Sequence, residues 1–198
     1  MKRFTEMNTV HKECENDRYK IKHSIYKPTF RELIDAEYRG QKEGDVITVL
    51  HDKKKREIVM SDSVMEKRTN LDFIEDANGD VLIAGLGLGM IVLAIQDKKD
   101  VDNITIVEID NNLKNLVMQG LKEKLSDKVE IVICDINEFE PKKKYDSVYC
   151  DIWNNIDSDN WVEMKKLTRK FKKFVNRDNE RAFLNHWRKK DVQRLSYE

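Results

Sequence analysis

What the chain lacks narrows its class before any motif is read. No apolar run is long enough to cross a bilayer: the longest, from Val81 to Ile95, is broken by glycines and falls short of the roughly 20 residues a spanning helix needs, so no membrane association is expected. The beginning of the chain is densely charged from Lys2 to Lys27, unlike the apolar centre of a signal peptide. Cysteine is scarce. Cys14, Cys134 and Cys150 are odd in number, match no zinc-ligand spacing, and two of them lie in apolar strand-like runs. Reduced, buried thiols and a cytoplasmic location are the expectation. No internal repeat is present. Net charge is zero, with 37 Lys and Arg against 37 Asp and Glu, yet residues 161–198 alone hold 12 basic and 5 acidic residues. A basic tail on an acidic body can contact an anionic partner or simply form the solvated face of amphipathic helices.

What is present reads as one folded domain of 198 residues. A chain of this size buries about 70% of its unfolded surface without metal or disulfide staples. Residues 1–28 are polar and without periodicity, and read as a partly ordered arm. A short helix is expected over Thr29 to Tyr38, with Phe30, Leu33 and Ile34 on one side. Asp45–His51 and Glu57–Met60 are β-rich runs around the charged turn Asp52–Arg56, which predicts a hairpin. Ser63 with Glu66 three residues later has the form of a capping box, opening a helix that continues through Leu71 and Ile74 to the stop at Asn78-Gly79.

From Val81 the pattern alternates. Val81–Ala84, Asn103–Ile109, Val129–Cys134 and Tyr145–Ile152 are apolar on both faces, and helices over Met90–Ile95 and Asn111–Leu125 separate the first three. This predicts an α/β fold, Rossmann-like, with a mostly parallel sheet covered by helices on both faces, an N-terminal β-hairpin and a helical C-terminus. Trp161, Met164, Leu167, Phe171 and Phe174 recur at helical spacing, and a second C-terminal helix is expected over Glu180–Leu195. The organisation is therefore an arm, hairpin and helix (1–79), a Rossmann-like cofactor-binding core (80–160), and a basic helical segment of the same domain (161–198).

The residues that carry chemistry gather at the ends of those strands. Gly85-Leu86-Gly87-Leu88-Gly89 follows the first strand directly and precedes a helix. Glycines there allow a tight turn and the close approach of a ligand, although they serve equally to pack a helix on a strand. Glu108 ends the second strand, 19 residues beyond Gly89, where a carboxylate can accept bonds from both hydroxyls of a ribose. Asp135 ends the third strand and Asp151 the fourth. In an open α/β sheet, ligands lie outside the carboxyl ends of the strands, so one crevice would receive all four features. The glycine spacing is not the Gly-x-Gly-x-x-Gly of dinucleotide sites, and no Gly-Lys-Ser/Thr follows to cradle phosphates. An acid-lined crevice without a phosphate site suits a cationic sulfonium cofactor.

On these residues the chain resembles class I S-adenosylmethionine-dependent methyltransferases over residues 80–153, and most of all their spermidine-synthase-like branch. Val81–Gly89 is similar to the strand and glycine loop of that branch, Val107-Glu108-Ile109-Asp110 to its second motif, Cys134-Asp135 to the end of its third strand, and Tyr145–Asp151 to its fourth. Met60-Ser-Asp-Ser-Val-Met-Glu66, taken with the glycine loop, also resembles short methyltransferase-like proteins of phages. The resemblance implies S-adenosylmethionine as cofactor, held by Gly85, Leu86, Gly87, Gly89, Glu108 on the ribose, Ile109, Asp135 and Ile136 at the adenine, Asp151, and Glu66. It implies Asp151 as the residue that orients or deprotonates an acceptor, with Trp153 and Asn154 shaping the acceptor pocket.

There are departures. Many methyltransferases carry an acid two residues before the first glycine, where this chain has Ile83. Aminopropyltransferases follow the fourth strand with a Ser/Thr-rich loop ending in Asp-Pro, where this chain has Asp151-Ile-Trp-Asn-Asn155, and Val64-Met65 stand in place of their Tyr-His pair. Methyl transfer to an unidentified acceptor, small molecule or nucleic acid, is thus the expected activity. An aminopropyltransferase and a non-catalytic cofactor-binding or interaction module are the alternatives, and a homodimer is left open. Asp-Pro-Pro-Tyr and Asn-Pro-Pro-Tyr base-modification signatures are absent.

Overall fold

The computed structural model describes residues 4–197. The chain divides into two compact units: Met1–Leu71 with Gly87–Ala94 and Asn111–Leu125, and Asp72–Leu86 with Ile95–Asp110 and Ser126–Glu198.

The first unit is built on an antiparallel sheet of β1 (Cys14–Glu15), β2 (Tyr19–Ile25), β3 (Val46–Asp52) and β4 (Glu57–Ser61), side by side in that order. The expected hairpin is β3 and β4. Its turn is tied by Asp52, whose carboxylate accepts the N–H groups of Lys54 and Lys55 and the guanidinium of Arg18. The expected arm, by contrast, contains a strand: β2 pairs with all of β3, Tyr19 opposite Asp52 through Ile25 opposite Val46. Its alternation escapes notice because only Tyr19 and Ile21 are buried, the pattern lapsing at His23 and Ile25.

Asp62 fastens the preceding segment to this sheet, accepting the N–H of Met7 at 3.0 Å and of Thr48 at 2.6 Å. The helix expected over Thr29–Tyr38 is α1 (Phe30–Ile34), opened by a capping box of Thr29 and Glu32 and stopped by the extended backbone of Asp35, followed by a 3-10 turn over Ala36–Tyr38. Phe30, Leu33 and Ile34 do share a region of surface, but they are 80%, 67% and 71% exposed. The helix expected from Ser63 onward is broken at Asn70 into α2 (Val64–Thr69) and α3 (Leu71–Asp76). The Ser63 hydroxyl accepts the N–H of Glu66, as an N-cap should.

Along the rest of the chain, strands and helices alternate: β5 (Gly79–Ala84), α4 (Met90–Ile95), β6 (Val101–Glu108), α5 (Asn111–Leu121), β7 (Val129–Ile133), β8 (Ser147–Cys150), α6 (Asn160–Phe171), β9 (Phe183–His186) and α7 (Lys189–Leu195). The second unit is organised by the sheet β7-β6-β5-β8-β9, parallel throughout. This is the expected α/β, Rossmann-like architecture. One element differs: residues 183–186, expected to be helical, form the fifth strand, and only Lys189–Leu195 is a helix. Phe183 and Leu184 pair with Ser147 and Val148, so a helix-compatible composition is overridden by sheet pairing.

Burial explains the order of the strands. Val81, Leu82, Ile83 and Ala84 are each at most 1% exposed, as a central strand covered on both faces requires. Phe73 of α3 stacks on Tyr149 of β8 at 4.1 Å and meets Phe183 of β9 edge-on at 6.0 Å, closing one face over the two strands.

The opposite end of the sheet is held by Asp146. Its carboxylate accepts the N–H of Asp80 at 2.8 Å and the amides of Asn176 and Asn179, each at 2.9 Å, and so joins β5, β8 and the turn that leads to β9. Burial pushes its pKa up, but the bonds from Asn179, Asp80 and Asn176 and the charge of Lys143 outweigh it, leaving the carboxyl below its usual range. The folded-state pKa is depressed, so this stability is present above the unfolded value near 4 and is lost as pH falls below it. Asp146→Ala should cost about 2–4 kcal/mol in urea unfolding at pH 7, since charge-assisted bonds contribute about 1.5–3 kcal/mol. The gap from the unsubstituted chain should narrow below about pH 4. An unchanged urea midpoint at pH 7 would contradict this assignment.

Candidate functional site

Strand β5 is the central strand, and the chain leaves it toward β6 on one side and later returns to β8 on the other. That reversal is the topological switch point at which open α/β sheets bind ligands. The register brings three strand ends level there: Ala84 pairs with Val107 of β6 and with Cys150 of β8, while Glu108 pairs with Ile133 of β7. Gly85, Glu108, Asp135 and Asp151 therefore emerge at one edge of the second unit.

The turn after β5 is enforced by crowding. Gly85 has φ +98, and a Cβ there would strike the backbone carbonyl oxygen of Asp151. Its N–H donates to Val107 at 2.9 Å and the N–H of Asp151 donates to Ala84 at 2.9 Å, so neighbouring strand ends stay paired to the mouth of the crevice. Leu86, 6% exposed, donates its N–H to Oε2 of Glu108 at 3.0 Å, and the N–H of Asp110 meets Oε1 at 2.8 Å. Glu108 is itself only 6% exposed. Burial raises its pKa, against the opposing pull of the Asp110, Leu86 and Ile109 N–H groups. A carboxylate offers about four acceptor positions; the Leu86 and Asp110 bonds take two of them, and with the Ile109 N–H close by at most two remain for hydroxyls.

The other expected residues of this unit are placed as follows. Ile109 is 67% exposed, an uncovered apolar side chain beside a buried acid, whereas Ile136 is 6% exposed. Asp135 uses Oδ1 to accept the backbone N–H and side-chain amide of Asn137. Cys150 is buried and its thiol is pushed up to about 12, which makes it an inert packing group.

Asp151 differs from every other acid at this edge. Burial pushes its carboxyl up to about 7, and among the described residues no hydrogen-bond donor meets its carboxylate. Trp153, 9% exposed, donates from Nε1 to Glu163 of α6 at 2.8 Å and lies edge-on to His186 at 5.8 Å, so its ring is packed. Asn154 is exposed. The expected residues Gly87, Gly89 and Glu66 belong to the first unit. Gly87 has φ +51, and its missing Cβ is replaced by the thioether of Met60, whose Sδ accepts the N–H of Leu88 at 3.0 Å. Gly89 has φ +79, and Glu66 is half-buried in the first turn of α2.

Sequence reasoning missed Met60, Asp110 as a donor to Glu108, Glu163 and the pair of His186 with Thr168 (2.7 Å). Asp110 was visible as the neighbour of Glu108. Nothing in the pattern marks a thioether or a helix-borne glutamate as a partner of a loop.

No protein-family model and no curated protein matches the chain. Among solved structures it is similar to DhpI in complex with S-adenosylhomocysteine, at 18% identity over 56% of this chain and 52% of that one, with a TM-score of 0.44. It is also similar to an S-adenosylmethionine-dependent methyltransferase from Clostridium acetobutylicum, at 20% identity over 55% of this chain and 45% of that one, with a TM-score of 0.40. A third is the glycopeptide N-methyltransferase MtfA with S-adenosylhomocysteine, at 16% identity over 56% of this chain and 44% of that one, TM-score 0.42. The chain spans about half the length of the solved structures it matches.

The state of Asp151 predicts a pH dependence. A folded-state pKa of about 7 lies above the unfolded value near 3.9, so the folded chain holds the extra proton between them and its stability falls as pH rises through that window. Asp151→Asn removes the titration. The variant should gain stability relative to the unsubstituted chain as pH is raised from about 4 to 8, by a difference on the order of 3 kcal/mol. Parallel urea curves at both pH values would show that the carboxylate is solvated.

Proposed function

We propose that the chain is an S-adenosylmethionine-dependent methyltransferase of the class I kind. The observation that carries this reading is the pair of acids flanking the glycine turn at the switch point: buried Glu108, with acceptor positions to spare, and half-buried Asp151, with no donor among the described residues. The residues suit the cofactor. Glu108 would accept ribose hydroxyls, exposed Ile109 and buried Ile136 would supply apolar surface to the adenine, and Asp135, whose Oδ1 is taken by Asn137, would offer Oδ2 to the adenine amino group. Gly85 and Leu86 form the turn that would hold the nucleoside. Asp151 offers a charge to the methionine amino group or to the acceptor.

When bound, S-adenosylmethionine supplies a methyl group already activated on a sulfonium. What remains for the protein is alignment and exclusion of water. Asp151, with its carboxyl near 7, is suited to orient an amine or hydroxyl acceptor and to take its proton. Trp153, locked by Glu163, and Asn154 would flank the acceptor. The acceptor is an amine or hydroxyl on a small molecule or a nucleic acid. An aminopropyl transfer lacks support in the loop after Asp151. A non-catalytic binding module is the second reading, and one observation favours it: the space left by Gly85 is filled by the chain itself, at the Asp151 carbonyl.

Calorimetric titration tests both readings, using S-adenosylmethionine, S-adenosylhomocysteine, decarboxylated S-adenosylmethionine and NAD. The first two should bind, and Glu108→Ala should weaken them about tenfold to a hundredfold, the loss expected for one charge-assisted bond to a hydroxyl. Turnover on an amine acceptor should rise with pH through about 7 and disappear in Asp151→Asn. Binding of none of the four, or equal affinity in Glu108→Ala, would overturn the proposal. Tight binding of S-adenosylmethionine without turnover on any acceptor would select the binding module.

A further inference from the structure

The strongest uncommitted feature of the second unit is the outer face of α6. Its inner face is fixed by Met164, Leu167 and Phe171, each 0% exposed. Around the helix, Lys165, Lys166, Arg169, Lys172 and Lys173 are all exposed, the last two in the 3-10 turn that continues it. At 100° per residue, these five fall within about a third of the circumference, opposite the buried side. They run over about 12 Å of axis. The loop before β8 extends the patch: the N–H of Tyr145 donates to Phe174 at 2.8 Å, which places exposed Lys142 and Lys144 beside the end of the stripe.

This concentration is not an average property of the chain, whose charges sum to zero. It also opposes the helix that carries it. Lys165 with Arg169, Arg169 with Lys173, and Lys166 with Arg169 are like-charge neighbours at i,i+4 or i,i+3, each costing a few tenths of a kcal/mol. A solvated face normally mixes signs and recovers that cost through Glu–Lys pairs. Here, among the described residues, no carboxylate lies within 4 Å of any of the five. The one acid of the helix, Glu163, is engaged by Trp153. The cations Lys165 and Lys173 lie over the rings of Trp161 and Phe174, which orders their stems without neutralising them.

We propose that this face, Lys165, Lys166, Arg169, Lys172 and Lys173 with Lys142 and Lys144, binds the phosphate backbone of duplex DNA. The choice of partner follows from what the face contains. A membrane-surface helix inserts its apolar side, and the apolar side of α6 is committed to the core. Single strands are gripped by stacking on exposed aromatics, and the two rings nearby lie under lysines. Duplex RNA is read in part through its 2′-hydroxyls by polar side chains, whereas the stripe is cationic. What remains is neutralisation of a dense phosphate array, which duplex DNA presents at about one charge per 1.7 Å. The inference is independent of the cofactor reading.

The test is fluorescence anisotropy of the full chain with a short labelled DNA duplex, over about 50 to 200 mM salt. Three to five phosphate contacts give a slope of log K against log salt of about −3 to −5. The triple variant Lys165→Glu, Arg169→Glu and Lys173→Glu should bind at least tenfold more weakly, and the milder Lys165→Gln, Arg169→Gln and Lys173→Gln set should flatten the slope by about 2 to 3. Both should remain folded because the substituted side chains are exposed, the glutamine set with an unfolding midpoint no lower than the original's since it relieves the like-charge pairs. A control reversal of Lys54 and Lys55, exposed at the hairpin turn of the first unit, should leave affinity unchanged. The proposal is overturned by absent binding at low salt, by equal loss in the control, or by tighter binding to the single strand, to duplex RNA or to anionic vesicles.

Discussion

The contact on which the candidate site depends is the approach of the Asp151 carbonyl oxygen to the backbone of Gly85. It fixes two things together. The chain must leave β5 with a positive φ, since no side chain fits between the two strand ends, and that turn aims the Leu86 N–H sideways at Glu108. The same contact holds the Asp151 backbone against the end of β5, bonded to Ala84, so the carboxylate it carries stays at the crevice edge. Three strands thus determine one another's ends. A site built on paired strands is held more rigidly than one built on free loops.

Most of the second unit was legible in the sequence because its strands are buried on both faces. Val81–Ala84 and Val148–Cys150 leave no alternative to a central position in a parallel sheet, and each is followed by the residue that matters. The missed elements are those whose burial is one-sided or brief. β2 buries Tyr19 and Ile21 and then turns polar, and β9 is four residues long in a charged context. Both are defined by pairing with a distant partner, β3 and β8, and long-range pairing has no local signature. The break at Asn70 is of the same sort, since apolar spacing continues across it from α2 into α3. In the site, the acids were legible from their places at strand ends, but their differing states were not, because the donors that separate them are backbone groups.

The glycines show where sequence logic needs the structure. A glycine-rich turn is compatible with ligand approach and with close packing, and the pattern alone does not choose. At Gly87 in the first unit the vacated volume is taken by the Met60 thioether, which also satisfies the Leu88 N–H. At Gly85 it is taken by a carbonyl. The close approach that demands glycine at these two positions is made by the protein itself, so the spacing of the loop is a folding requirement first. What is left for a ligand at this edge is therefore offered by the acids and not by the glycines.

Between those acids the division of labour follows from hydrogen bonding. Glu108 and Asp151 are both raised by burial, yet Glu108 has the backbone N–H groups of Asp110, Leu86 and Ile109 to hold its charge, and among the described residues Asp151 has none. A buried carboxylate that accepts backbone bonds is stabilised in its ionised form and fixed in position, which suits a group that must accept hydroxyl bonds without moving a proton. A carboxylate without donors gains the most from whatever reaches it, whether a proton, an ammonium or the acidic hydrogen of an acceptor. Its pKa near 7 is the thermodynamic expression of that unmet demand. The edge of the sheet thus contains one acid whose charge is held by backbone donors and one whose charge meets none among the described residues, and the fold produces both by the same strand ends.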